Sequence, residues 1–277
     1  MEEKIFSKFD LTGRTAVITG GAGLLGKEHA YAIAGAGGIP VLVDIQKDFA
    51  EKLADNIQKK FKVPALAVGC DITKKIEVKN LLDLVLRKFG RVDILINNAA
   101  NNPKMDSESA DDWARFENLS IDAWDADLAV GLTGAFLCSQ VLGTEMAHQG
   151  NGVIINISSD LGIIAPDQRL YEKEDAPPHK QPVKPVTYSV TKTGLIGLTR
   201  YLATYWCDQG VRVNALCPGG VDAGQSEDFK NRLHSKIPMK RMAQSDDYQG
   251  AILFLASDAS SYMTGASLVI DGGRTCW

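Results

Sequence analysis

The sequence is short of the residues that build metal centres and disulfide frameworks. Its five cysteines (Cys70, Cys138, Cys207, Cys217 and Cys276) are scattered, with no Cys-x-x-Cys pair. That excludes a zinc knuckle or a disulfide lattice and suits a reducing, cytoplasmic setting. The four histidines (His29, His148, His179 and His234) have no metal-ligand spacing, so no metal is expected. No apolar run approaches the roughly 20 residues needed to span a bilayer. Met1 to Asp10 is charged and lacks the apolar centre of a signal peptide. A net charge of −4 offers no general polyanion-binding surface, so neither nucleic acid nor membrane is an expected partner.

What is present is an alternation. Short apolar runs at Thr15–Thr19, Ile39–Asp44, Ala65–Val68, Asp93–Ile96, Gly152–Ile157, Val211–Leu216 and Ser267–Ile270 read as strands. Longer amphipathic stretches separate them: Leu24–Ala36, Asp48–Phe61, Lys75–Phe89 closed by Gly90, Ile121–Gln149, the stretch beginning at Val186, and Gln249–Ala256. Strands that are apolar on both faces, joined by helices, imply crossover units and a sheet covered on both sides. The fold expected is therefore α/β: one doubly wound, mostly parallel, seven-stranded domain over residues 1–277. No repeat and no linker divides the chain.

The first predicted strand runs into Gly20-Gly21-Ala22-Gly23-Leu24-Leu25-Gly26 and then a helix. Gly21, Gly23 and Gly26 satisfy G-x-G-x-x-G, which permits a tight turn and lets a pyrophosphate approach the helix start. Asp44 ends the second strand, at the distance where a carboxylate holds the ribose hydroxyls of an adenosine and repels a 2′-phosphate. Neither Leu24 nor Ile45 supplies a cation to offset it, so NAD is expected rather than NADP. Asp71 follows the third strand; it is either an acceptor for adenine or an N-cap before Thr73. Asn97-Asn98-Ala99 at the end of the fourth strand is either turn chemistry or a wall against the adenosine.

Further on, Tyr188 and Lys192 stand at i, i+4 in an apolar stretch. On a helix they share one face, one turn apart. A phenol is a poor acid or base near neutrality, and a neighbouring ammonium favours its ionised form. The pair suits proton transfer to or from a carbonyl or alcohol.

Taken in order, TGGAGLLG (19–26), Asp44, CDIT (70–73), NNAA (97–100), NISS (156–159), YSVTK (188–192), PGG (218–220) and TGASLVIDGG (264–273) resemble the short-chain dehydrogenase/reductase family. The resemblance covers roughly Leu11 to Gly273. It implies Ser159, Tyr188 and Lys192 as catalytic residues, with Ser159 holding the substrate oxygen, Tyr188 as acid or base, and Lys192 lowering the Tyr188 pKa and binding the nicotinamide ribose. Ser158 is the neighbouring alternative for the serine; strand alternation points it to the other face. The resemblance also implies cofactor contacts from Gly20, Gly21, Gly23, Leu24, Leu25, Gly26, Asp44, Asp71, Ile72, Asn98, Ala99, Pro218, Gly219 and Val221, besides Tyr188 and Lys192. It implies a homo-oligomer, a tetramer or dimer, formed through the Ile121–Gln149 and Tyr188–Gln209 helices.

The sequence departs from the family pattern in four places. Leu24 stands where the middle glycine of the turn is usual, Gly131 where a catalytic Asn is usual, and Ala100 where NNAG is usual. The threonine after the PG motif is missing, with Asp222 and Ala223 nearby. An insertion at about 166–184 separates Ser159 from Tyr188. Its polar residues suggest a wall contacting a polar or anionic substrate, with Arg169 the best anion ligand. With the polar Asn101–Lys104 loop, this points to a sugar-like secondary alcohol or ketone as substrate. The insertion and the GLTGAFL segment resemble a branch linked to bacterial surface-glycan sugars. The alternatives are a 3-oxoacyl thioester reductase, disfavoured by the polar loops, and an NAD-binding protein with lost catalysis, suggested by Gly131.

Overall fold

The computed structural model describes residues 5–101, 113–173 and 176–277. Asn102, Pro103 and Lys104 of the polar loop lie outside the described residues. Seven strands form one sheet: β1 (Thr15–Thr19), β2 (Ile39–Asp44), β3 (Leu66–Gly69), β4 (Ile94–Asn97), β5 (Gly152–Ile157), β6 (Val211–Pro218) and β7 (Ser267–Ile270). Their order is β3-β2-β1-β4-β5-β6-β7. Every pairing is parallel, β7 on β6 included, so the sheet is wholly rather than mostly parallel.

The helices are α1 (Leu24–Gly35), α2 (Lys47–Phe61), α3 (Lys75–Phe89), α4 (Ile121–His148), α5 (Val186–Tyr205), α6 (Glu227–His234) and α7 (Gln249–Ala256). Alternation along the strands sorts the core into two halves. Ile18, Leu42, Ile94 and Ile155 face α1 and α7, with Ile33, Ile252 and Leu255. Val17, Val41, Leu95 and Ile154 face α3 and α4, with Leu81, Leu142 and Met146. All five residues of β1 are buried, as a central strand covered on both faces requires. α3 ends on Gly90 in the left-handed region at φ 76°. β3 and β4 each sit one residue later than the apolar runs suggest, and β6 extends to Pro218, because ladder pairing with β2, β5 and β7 sets their ends.

α4 is by length and composition apolar enough to cross a bilayer. Its apolar residues Cys138, Leu142 and Met146 are instead buried against the sheet. Two π-helical turns, Ala129–Thr133 and Ser139–Gly143, interrupt it. The chain runs outward from β1 to β3 on one side and from β4 to β7 on the other. The order reverses between β1 and β4, and the carboxyl ends of the strands open a crevice there.

Candidate active site

A cleft of about 550 Å³ follows that edge. At one end is the turn after β1. Gly20 is in the left-handed region at φ 60°, and Gly23 caps α1 while its amide donates to the Gly20 carbonyl at 3.0 Å. The first amides of α1 have no partner within the helix and carry its positive end. Gly20, Gly23, Leu24 and Leu25 line the cleft. Gly21 and Gly26 stand behind it. A Cβ on Gly21 would lie 2.9 Å from Leu42 Cα, and one on Gly26 only 2.2 Å from the Gly20 carbonyl oxygen. These two let the turn close against β2 and against itself.

Asp44 is pinned at the tip of β2. Its carboxylate accepts from the Ala22 amide at 3.1 Å and the Gln46 amide at 3.0 Å, and it faces the cleft beside Leu24, Ile45 and Gln46. Asp71 accepts from both the amide and the hydroxyl of Thr73, at 3.0 and 2.6 Å, which holds its carboxyl below the usual range. These bonds close a turn ahead of α3, whose own N-cap is Lys74 with no side-chain cap bond, and Asp71 lines the cleft beside Ile72. Asn98 braces the glycine turn: its Nδ2 donates to the carbonyls of Thr19 at 2.9 Å and Gly20 at 3.1 Å. Asn97 turns inward to Asn156 and Ser139. Asn98 and Ala99 line the cleft, as do Pro218, Gly219 and Val221 opposite. Tyr248 steadies this second wall by donating to the Gly219 carbonyl at 3.2 Å. A pyrophosphate-sized anion at the helix start and a ribose at Asp44 fit these residues.

Midway along the cleft, β5 and α5 bring Ser159, Tyr188 and Lys192 together. Ser158 points away, donating to the Lys192 carbonyl at 2.7 Å, whereas Ser159 faces the phenol. Burial raises the Tyr188 pKa above that of a free phenol; the Ser159 hydroxyl opposes this, Asp160 adds to it and Arg274 opposes it. The Lys192 amine donates to the Ile157 carbonyl at 2.8 Å and lies 5.7 Å from the Tyr188 ring centre. Its burial brings its pKa down to about 8. Lys184, also pushed down to about 8 by burial, is nearer the ring at 4.0 Å.

Gly131 sits in the first π turn of α4, where a Cβ would lie 2.5 Å from Thr191 Cγ2 on α5. Glycine here lets the two helices touch, and any side chain would have to displace Thr191. Beside it, a cavity of about 10 Å³, close to the size of one water, is lined by Asp127, Thr187, Thr191, Lys184 and Lys192.

The insertion forms a wall, but of a different character from the one its composition suggests. Arg169 is held by Asp167 through two bonds of 2.7 and 2.8 Å, is largely exposed, and does not line the cleft. Leu170 and Tyr171 do, and they join Phe229, Leu233 and Met242 in an apolar face. Trp277 is largely exposed, its indole N–H donating to the Lys236 carbonyl at 3.1 Å. Sequence reasoning missed Arg274 and Lys184, both of which reach the cleft; the turn glycines Gly272 and Gly273 ahead of Arg274 were the one local signal that the chain bends back there.

A family model described as short chain dehydrogenase matches residues 14–171, and one described as enoyl-(acyl carrier protein) reductase matches residues 179–275. A D-threitol dehydrogenase of Mycolicibacterium smegmatis is 34% identical over 96% of this chain and 95% of its own length. An NAD-dependent glycerol dehydrogenase of Listeria innocua is 32% identical over 99% of both chains. The crystal structure of a gluconate 5-dehydrogenase from Burkholderia cenocepacia J2315, in complex with NADP and tartrate, superposes with a TM-score of 0.85 at 28% identity, covering 99% of each chain. With the wholly parallel sheet, the glycine turn and the Ser–Tyr–Lys cluster in one cleft, these likenesses assign the chain to the short-chain dehydrogenase/reductase family, nicotinamide-dependent oxidoreductases acting on CH–OH groups.

Proposed function

We propose that the protein is an NAD-dependent dehydrogenase of a small polyol or sugar-like secondary alcohol, working with Ser159, Tyr188 and Lys192. The observation that carries this reading is the continuity of one cleft from Asp44 through the glycine turn to the three side chains. A bound nicotinamide would supply the hydride chemistry at the substrate carbon. The protein's own part is the oxygen. Ser159 hydrogen-bonds it as charge develops, and Tyr188 takes its proton in oxidation or returns it in reduction. Lys192 contributes positive charge near the Tyr188 ring and would donate to the ribose of a bound nicotinamide. Asp44 supports NAD, since the cleft beside it offers Leu24, Ile45 and Gln46 rather than a cation for a 2′-phosphate. Two of the relatives are dehydrogenases of threitol and glycerol, which favours a polyol over surface-glycan sugars.

One observation supports a second reading, a 3-oxoacyl thioester reductase. The apolar face of Leu170, Tyr171, Phe229, Leu233 and Met242 is the surface an acyl chain would need, and it answers the part of the argument against this substrate that was drawn from the insertion. We also infer a homo-oligomer, because Ile121 and Phe136 on α4 and Val190, Tyr201 and Tyr205 on α5 are exposed.

Oxidation of tetritols, pentitols, hexitols and glycerol with NAD and NADP, alongside reduction of an acetoacetyl thioester, separates these readings. Turnover of a polyol with NAD is expected. Turnover of the thioester alone would replace the first reading with the second. Cofactor binding with no turnover on either arm would point to a binding protein. Tyr188→Phe should lower kcat by about 10²–10⁴-fold. Asp44→Ser should lower kcat/KM for NAD by roughly 10–100-fold, the loss of a charge-assisted hydrogen bond, and narrow the gap to NADP. An unchanged NAD/NADP ratio would remove Asp44 from cofactor choice.

A further inference from the structure

The titratable groups that reach Tyr188 come from four parts of the chain. Lys192 lies on the same helix, Lys184 precedes it, and the Tyr171 phenol comes from the insertion. The fourth is an ion pair between the residue after Ser159 and the carboxyl-terminal turn. Asp160 Oδ1 accepts from the Ser159 hydroxyl and the Leu161 amide, both at 2.8 Å. Its Oδ2 accepts from Arg274 Nη1 at 2.6 Å. The side chains are only 3% and 9% exposed, and both line the cleft. Arg274 is itself fixed. It follows Gly272 and Gly273, with φ 66° and 90°, and the Asp271 carboxylate accepts from the Gly273 amide at 2.8 Å and the Thr275 amide at 2.7 Å.

A buried ion pair of this kind adds little net stability, because desolvation offsets most of the attraction. Its distinctive effects are orientation and field. In the free enzyme Asp160 holds the Ser159 hydroxyl by accepting its single proton, while the Leu161 amide donates to Oγ at 3.2 Å; when substrate binds, that proton turns from Asp160 to the substrate oxygen. Alone, its charge would oppose ionisation of the phenol beside it; Arg274 offsets that charge. We propose that Asp160 and Arg274 form a positioning pair for the reaction, Asp160 orienting the Ser159 hydroxyl and Arg274, from the end of the chain, holding Asp160 in place and balancing its charge next to Tyr188. This rests on the roles given above to Ser159 and Tyr188.

The two members act on Tyr188 with opposite sign, and that makes the pair testable. In the full-length enzyme, the ionisation of Tyr188 is followed as the phenolate absorbance of each form minus that of the same form carrying Tyr188→Phe. The pH profile of kcat for alcohol oxidation is measured in parallel. Arg274→Met should move the titration and the acid-side limb up by about one pH unit, and Asp160→Asn should move them down by a similar amount. The double variant should return close to the wild-type position, and Arg274→Lys should shift least. At neutral pH kcat should fall about tenfold in Arg274→Met, with the KM for cofactor nearly unchanged. If both single variants leave the limbs in place, or move them in the same direction, the pair is only structural and the proposal fails. Should Arg274→Met not fold, the near-isosteric Asp160→Asn and the charge-preserving Arg274→Lys still decide the sign. Full turnover in Tyr188→Phe would defeat the underlying site reading; an inactive Tyr188→Phe with unmoved limbs would defeat this proposal alone.

Discussion

At the scale of single residues, the chain keeps ionisable side chains where water cannot reach them. His29 on α1 is fully buried, and burial lowers its pKa to about 3 from 6.5. Between those values the unfolded chain binds a proton that the folded chain refuses, so stability falls as the pH drops. The slope contributed by His29 should approach about 1.4 kcal/mol per pH unit below pH 6. Urea unfolding at a series of pH values checks this, with His29→Gln expected to flatten the slope; an unchanged slope would place the acid sensitivity elsewhere. Asp167 shows the opposite case on the surface. Its bonds to Arg169 hold its carboxyl well below the usual range, yet Arg169 is exposed and the pair, screened by solvent on that side, contributes little. That pairing is also why Arg169, the anion ligand suggested by composition, is occupied. Ser159 over Ser158 was legible because strand alternation is local. The partner of Asp160 was not, since Arg274 lies 114 residues further along.

At the scale of elements, two close approaches depend on glycine. The turn between β1 and α1 requires that residue 26 have no side chain, with the Gly20 carbonyl 2.2 Å from where a Cβ would be. Gly26→Ala should therefore cost about 1–3 kcal/mol through displaced backbone. It should also weaken binding of the nicotinamide cofactor, read as a raised dissociation constant in a fluorescence titration, and lower the melting temperature. A variant melting and binding like the wild type would show that the turn has room. The second approach is α4 on α5 at Gly131 and Thr191. In sequence, Gly131 reads as a missing functional side chain. In the structure it is a packing requirement at a π turn, with Asp127 and Lys184 lining the small cavity alongside. Helix packing of this kind has no local signature, because it depends on where two distant segments cross.

At the scale of the whole molecule, the outer faces of α4 and α5 leave Ile121, Phe136, Val190, Tyr201 and Tyr205 exposed, with Tyr201 and Tyr205 stacked at 5.7 Å between ring centres. Light scattering at micromolar concentration should give a dimer or tetramer, and Tyr201→Lys with Tyr205→Lys should shift it towards monomer; a monomeric wild type would refute this. The sequence by itself determined the alternation of strands and helices, the cofactor turn, Asp44 and the spacing of Tyr188 and Lys192, because each rests on short-range periodicity or backbone geometry. Strand order and uniform parallel pairing, the apolar inner face of the insertion, and the arrival of Arg274 at Asp160 were decided only in three dimensions. Each depends on the mutual burial of segments far apart in the chain, where sequence spacing carries no distance.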